Sequence, residues 1–272
     1  MTPRVYSLAY LTVADLAPPQ MIDLAAALGY SHVGLRLLPN AIGAPFQPLL
    51  DDAAIRRETV ARVNATGVSA FDLEIVRIGN KFIPDLYLPL FEAAAALKSR
   101  AVLVAGDDPD EARLAGSFAR LCETVRPFGL TANLEFMPWT AVPDARAALR
   151  VLDAAGRPSN AGVLVDALHF GRSATTLADI RALPREHLHY AQICDAIAGR
   201  HFTAEEMIHD ARSERQLPGD GTIELEDLFR VLPADLPVSV EVPNRVRVSE
   251  LGEREWARRA LAASRALLER AP

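Results

Sequence analysis

Eight short apolar runs separated by helix-period, alanine-rich segments narrow what this 272-residue chain can become more than anything else in it. A continuous apolar run rich in β-branched residues reads as a strand buried on both faces, and strands that alternate with helices build a parallel sheet. Strands are expected at 5–13, 32–38, 68–78, 101–105, 130–135, 162–165, 188–195 and 237–243. Helices are expected at 18–28, 52–66, 85–98, 109–125, 143–154, 177–183, 224–231 and 248–269. Eight βα units in a chain close to the roughly 250 residues typical of the closed form give one domain over 1–272, a single (β/α)8 barrel.

From the fifth strand onward, four consecutive strand ends carry a side chain that can hold a cation. Glu135 closes the run begun at Leu130, Asp166 follows Val163, Leu164 and Val165, Gln192 lies in the run begun at Leu188, and Glu241 follows Val238, Ser239 and Val240. The first two intervals, 31 and 26 positions, suit one βα unit each. The third, 49 positions, leaves a long loop over 195–221, a natural lid or rim. Barrels of this kind keep their chemistry at the carboxyl ends of the strands, so these four tips converge. An all-oxygen set favours Mn2+, Mg2+ or Co2+ over a thiolate-type zinc site, with Zn2+ still compatible.

The motifs around these residues resemble the xylose isomerase-like TIM barrels, which include sugar phosphate isomerases and epimerases, inosose-processing enzymes and 3-dehydroshikimate dehydratases. They are L-E-F at 134–136, D-x-x-H at 166–169, H-x-x-Q at 189–192, L-P-G-D-G at 217–221 and S-V-E-V-P-N at 239–244. The likeness is strong over the C-terminal half and a compatible pattern over the N-terminal half. It implies that Glu135, Asp166, Gln192 and Glu241 ligate one divalent metal ion. It also implies that Glu135 and Glu241 exchange a proton with a substrate carbon, as in the epimerases, and that His169 is an acid or base, as in the dehydratases. Arg215 lies where relatives place a basic residue near substrate. Where many epimerases carry a histidine as third ligand this chain has Gln192, a departure towards the dehydratase branch.

Arg36 and Glu74, at the ends of the second and third strands, are expected to bind hydroxyls or a carboxylate, and Trp139 and Phe170 to wall the site. The function so implied is metal-dependent isomerisation or epimerisation of a sugar, sugar phosphate or inosose, by proton abstraction α to a carbonyl and a metal-stabilised enediolate. Dehydration of the dehydroshikimate or inosose type is the alternative, and a non-catalytic ligand-binding barrel a third.

A net charge of −6 argues against a nucleic-acid partner, and six histidines are few for the three-zinc endonuclease branch of the same barrel. No apolar run approaches the roughly 18 residues of a membrane span, and the first run reads as a strand and not as a leader. A cytoplasmic protein acting on a small molecule is expected, with a homodimer as the commonest assembly. Cys122 and Cys194 are too far apart for a disulfide framework or metal cluster and read as reduced core residues. G-x-S-x-G, H-E-x-x-H, C-x-x-C and phosphate-loop patterns are absent from the sequence. His187, His201 and His209 have no usable spacing, and Arg77 and Lys81 are expected on the surface.

Overall fold

The apolar runs pair in the order in which they occur. In the computed structural model, which describes residues 4–40, 43–197 and 203–269, eight strands form a closed barrel. They are β1 (Tyr6–Leu8), β2 (His32–Leu35), β3 (Ser69–Ile78), β4 (Ala101–Gly106), β5 (Thr131–Glu135), β6 (Ala161–Asp166), β7 (Ala191–Ile193) and β8 (Val238–Val240). Every neighbouring pair is parallel, and β1 pairs with both β2 and β8, so the ring leaves no edge. His201 lies outside the described residues.

The helices are α1 (Pro18–Leu28), α2 (Ala53–Thr66), α3 (Leu88–Ala96), α4 (Glu111–Val125), α5 (Ala145–Ala154), α6 (Ala167–Arg172), α7 (Leu177–Arg181), α8 (Ala204–Ser213), α9 (Leu225–Val231), α10 (Arg245–Leu251) and α11 (Glu253–Leu268). Local chemistry sets their ends. Two prolines open α1, where no backbone donor is needed, and Gly29 stops it at φ 84°. Asp52, Asp110 and Asp144 cap α2, α4 and α5 through their side chains. The apolar stripe of α4 lies on the barrel and buries Leu114, Phe118, Leu121, Cys122 and Val125, whereas α2 buries only Thr59 and Val63. Truncating a fully buried side chain such as Phe118 to alanine would cost about 3–5 kcal/mol. Cys122 and Cys194 are both free and buried. Among the described residues no helix is long and apolar enough to cross a membrane.

Four segments differ from the sequence expectation. The first strand ends at Leu8, and a 3-10 turn, Tyr10–Val13, follows. The turn lets the Thr12 hydroxyl donate to Val240 O and accept from Val242 N, so the chain stitches the end of β8 instead of extending β1. Asp166 caps α6 directly, with no loop between strand and helix. The long 195–221 segment contains α8, begun by a capping box of Thr203 and Glu206. The final helix is two: Asn244 caps α10 ahead of the expected start, and Gly252, at φ 77°, separates it from α11.

Two apolar layers result. The larger lies between helices and strands. The smaller joins Phe71, Ala101, Leu103, Leu164 and Tyr190. These come from β3, β4, β6 and the approach to β7, which can touch only across the inside of the ring. Below that layer the His189 Nδ1 and Asn133 Oδ1 atoms are 2.8 Å apart. A Cβ on Gly162 would lie 2.3 Å from Asn133 Oδ1, so the floor requires glycine there.

Candidate active site

The chemistry-bearing side chains are gathered at the carboxyl ends of the strands. Asp166 organises the centre. Its Oδ1 accepts from the His169 backbone N at 3.1 Å, starting α6 and bringing His169 back over the strand end. Its Oδ2 accepts from Arg215 Nη1 at 2.6 Å, while Arg215 Nη2 lies 2.9 Å from Glu241 Oε2. Arg215 Nε also donates to Ala211 O at 2.9 Å.

The long loop is fastened so as to deliver Arg215. Isolated antiparallel bridges pair Asp195 with Gln216 and Glu214 with Asn244. The Asp195 carboxylate accepts from the backbone N of Ala196, Gly219 and Ile223. A Cβ on Gly221 would lie 2.3 Å from Asp195 Oδ1 and 2.5 Å from Ala196 O, which explains one glycine of the P-G-D-G stretch. Arg215 is 2% exposed and stands among the candidate ligands.

Glu135, Asp166, Gln192 and Glu241 are all buried at the tips of β5 to β8, as the spacing of the sequence requires. One amide atom of Gln192 lies 2.9 Å from Glu135 Oε1 and 3.2 Å from Asp166 Oδ2. As nitrogen it donates to both carboxylates; as oxygen it is a third acceptor at one point, an arrangement satisfied by a cation or by a proton on Glu135. Glu135, Asp166 and His169 offer atoms all within 4.8 Å of one another, a spacing that can hold a metal ion. His169 Nε2 is 3.6 Å from Glu135 Oε1, its Nδ1 is buried without a partner, and the Trp139 ring meets its ring edge-on at 5.0 Å.

Charge at the mouth does not balance. The four carboxylates of Glu74, Glu135, Asp166 and Glu241 are in contact with two guanidiniums, Arg36 on Glu74 and Arg215 on Asp166 and Glu241, so they outnumber the cations they touch by two. Burial, then Asp166 and Glu241, push Glu135 well above the usual carboxylate range, and burial does the same to Glu241 against the pull of Arg215. Burial also opposes the charge of Asp166, but Arg215 and His169 outweigh it and hold this carboxyl below its ordinary value. Burial and Arg215 lower His169 to about 4 against the pull of Asp166, so the imidazole is neutral at pH 7. Each buried unpaired ion costs several kcal/mol, a cost relieved by protons or by a divalent cation displacing them. The donor set therefore fits a hard divalent ion.

Glu74 and Arg36 pair at 2.6 Å beside this cluster, with Arg36 stacked 4.7 Å over the Tyr10 ring. Two expectations need correction. Phe170 packs into the helix-facing core, not over the site, because α6 turns it away from the cavity. Arg77 is not a plain surface residue: it is paired with Asp107 and lines the cavity. No pattern in the sequence singles out Tyr10. Asp72, wholly buried in β3 with neither carboxylate oxygen hydrogen-bonded, did have a signal, since acids two apart on a strand share a face with each other.

The model of the family described as xylose isomerase-like TIM barrel matches residues 22–267. No curated protein sequence matches the chain. Among solved structures it resembles the IolI protein with a bound zinc atom (TM-score 0.77, 16% identity, 97% of this chain and 98% of that one). It also resembles the probable 3-DHS dehydratase AsbF from Bacillus anthracis (0.75, 12%, 96% and 98%) and the D-allulose 3-epimerase from Methylomonas sp. (0.69, 15%, 97% and 97%). At these identities the likeness is one of fold.

Proposed function

Since the chain belongs to the xylose isomerase-like TIM barrel family, we propose that it is a divalent-metal-dependent isomerase or epimerase of a small polyhydroxylated carbonyl compound. The observation that carries this reading is the buried cluster of carboxylates at the mouth, which outnumber the guanidiniums they touch by two and whose charge a divalent cation would neutralise in place of protons. Glu135, Asp166, Gln192 and Glu241 would hold the ion, and the zinc bound by IolI and the epimerase among the structural neighbours support the choice.

A bound divalent ion supplies Lewis-acid stabilisation of the negative charge that develops on a carbonyl oxygen. The chain's own residues do the rest. Glu135 and Glu241 reach one cavity from β5 and β8, so one carboxylate can take the proton α to the carbonyl and the other return it. Neutral His169 has an unpartnered Nδ1 and an Nε2 beside Glu135, a place from which it passes that proton to a neighbouring oxygen. Trp139 holds the imidazole on edge and shields it from water. The Arg36–Glu74 pair offers a donor and an acceptor to substrate hydroxyls.

Dehydration is the second reading. Gln192 in place of histidine favours it, as does a neutral His169 at Glu135, an acid–base pair suited to expelling a β-hydroxyl as water. AsbF supports it among the neighbours.

Elemental analysis of purified wild type, Asp166→Asn and Glu241→Gln tests the metal: about one ion per chain, lost in both variants, is expected. Absence of metal in wild type, even after incubation with Mn2+, would end the proposal. The metal-replete protein would then be screened on ketoses, inososes and dehydroshikimate. Isomers formed without loss of water support the first reading, and loss of water, seen as a new enone absorbance from an inosose or an aromatic absorbance from dehydroshikimate, supports the second.

A further inference from the structure

The site has an inner chamber and an outer groove. The chamber, lined by Glu135, His169, Glu241 and Trp139, measures about 50 Å³. On this measure one water needs about 10–15 Å³, so the chamber takes a few non-hydrogen atoms, the reacting end of a substrate. Outside it lies a groove of about 750 Å³. Four residues line both spaces and so form the neck: Leu11, Arg36, Asn40 and Arg212. Any substrate larger than the chamber passes between them.

Both charged residues of the neck are arginines. The groove also has acids, Asp15 and Glu253, but these line its outer part and not the neck. Arg36 already has Glu74 as partner, and Arg77, lining the chamber, has Asp107. Arg212 has no ion-pair partner among the described residues, and it is exposed at the end of α8, where the negative pole of a helix favours a cation. Partial burial, then the charges of Arg77 and Arg36, disfavour its own positive charge, so the field of the three arginines is not cancelled locally. Three converging guanidiniums, one without a carboxylate, make an anion-binding surface.

We infer that the substrate carries an anionic group, a carboxylate or a phosphate, at the end remote from its reacting carbons, and that Arg212 with Arg36 binds this group at the neck. The inference rests on the reading of the inner chamber as the reaction site. It divides the candidates: sugar phosphates and dehydroshikimate-like acids fit, and free ketoses and inososes do not.

The test is calorimetric titration of the metal-loaded wild type and of Arg212→Gln with inorganic phosphate and, separately, with malonate. Saturable binding of at least one anion by wild type, weakened tenfold or more in Arg212→Gln and by added salt, is expected; whichever anion responds identifies the group. Equal binding by both proteins would overturn the inference, since an anion sitting on the metal alone ignores Arg212. So would lack of saturable binding by wild type. Elemental analysis of the same samples separates the two failures: wild type without metal ends the reading of the chamber, whereas full metal content with an indifferent Arg212→Gln ends the anion site alone.

Discussion

Asp72 allows the electrostatics of the barrel interior to be measured by itself. Its side chain is wholly buried on β3, and neither oxygen has a hydrogen-bond partner. Burial first, and the neighbouring Glu74 second, push its carboxyl well above the usual carboxylate range. A folded pKa above the unfolded one, near 3.9, means that the native state holds a proton the unfolded chain has released. The stabilisation is then complete below the unfolded pKa and is lost as pH rises towards the folded one. One proton corresponds to about 1.4 kcal/mol per pH unit over that window. Asp72→Asn keeps shape and neutrality without titrating. The stability difference, variant minus wild type, should therefore grow by about 1.4 kcal/mol for each unit above pH 4, then level off at the folded pKa. Urea denaturation of both proteins at several pH values, followed by Trp139 and Trp256 fluorescence with metal saturating, supplies the comparison. A difference that does not change with pH would refute the reasoning, because it would mean that Asp72 is charged in both states.

Arg215→Ala strands Asp166 and Glu241 as buried carboxylates without their guanidinium, which costs about 3–5 kcal/mol. Melting with and without Mn2+ should show the loss reduced in the metal-loaded protein; equal losses would mean that the cation does not share this charge. His169→Gln should lower kcat about 10²–10⁴-fold with metal content unchanged; loss of metal instead would make His169 a ligand, as its spacing to Glu135 and Asp166 allows. Gly221→Ala forces a Cβ against Asp195 and the Ala196 carbonyl, and overpacking of this kind costs about 1–3 kcal/mol. Faster limited proteolysis within 203–222 than in wild type is the expected sign, and an unchanged rate would count against the tether.

The barrel was legible because each strand is an unbroken apolar run, and burial on both faces leaves no other pattern for it. The four strand-end ligand candidates were legible for a related reason: an ionisable side chain directly after such a run stands out. What the sequence hid were contacts between segments far apart. Nothing near Arg215 announces that Asp195, Asn244 and Pro243 will fold its loop inward, since each of those contacts crosses more than 20 positions. Helix α8 has a mark in the sequence, the Thr203/Glu206 capping box, inside the stretch expected to be a loop. The early end of β1 depends on one hydroxyl, that of Thr12, bonding to a strand over 220 residues away.

The fastening of the loop after β7 also bears on how such a protein can change its preference during evolution. Arg212 and Arg215 are three residues apart, yet Arg215 is locked among the acids of the chamber while Arg212 stands at the neck. The three backbone bonds to Asp195 keep the frame of that segment independent of what the neck residue is. Mutational drift at position 212 can therefore trade one class of substrate for another while the inherited chemistry stays in place. In laboratory selection for new substrates, position 212 is the place to diversify first, with Asp195, Arg215 and Gly221 held constant.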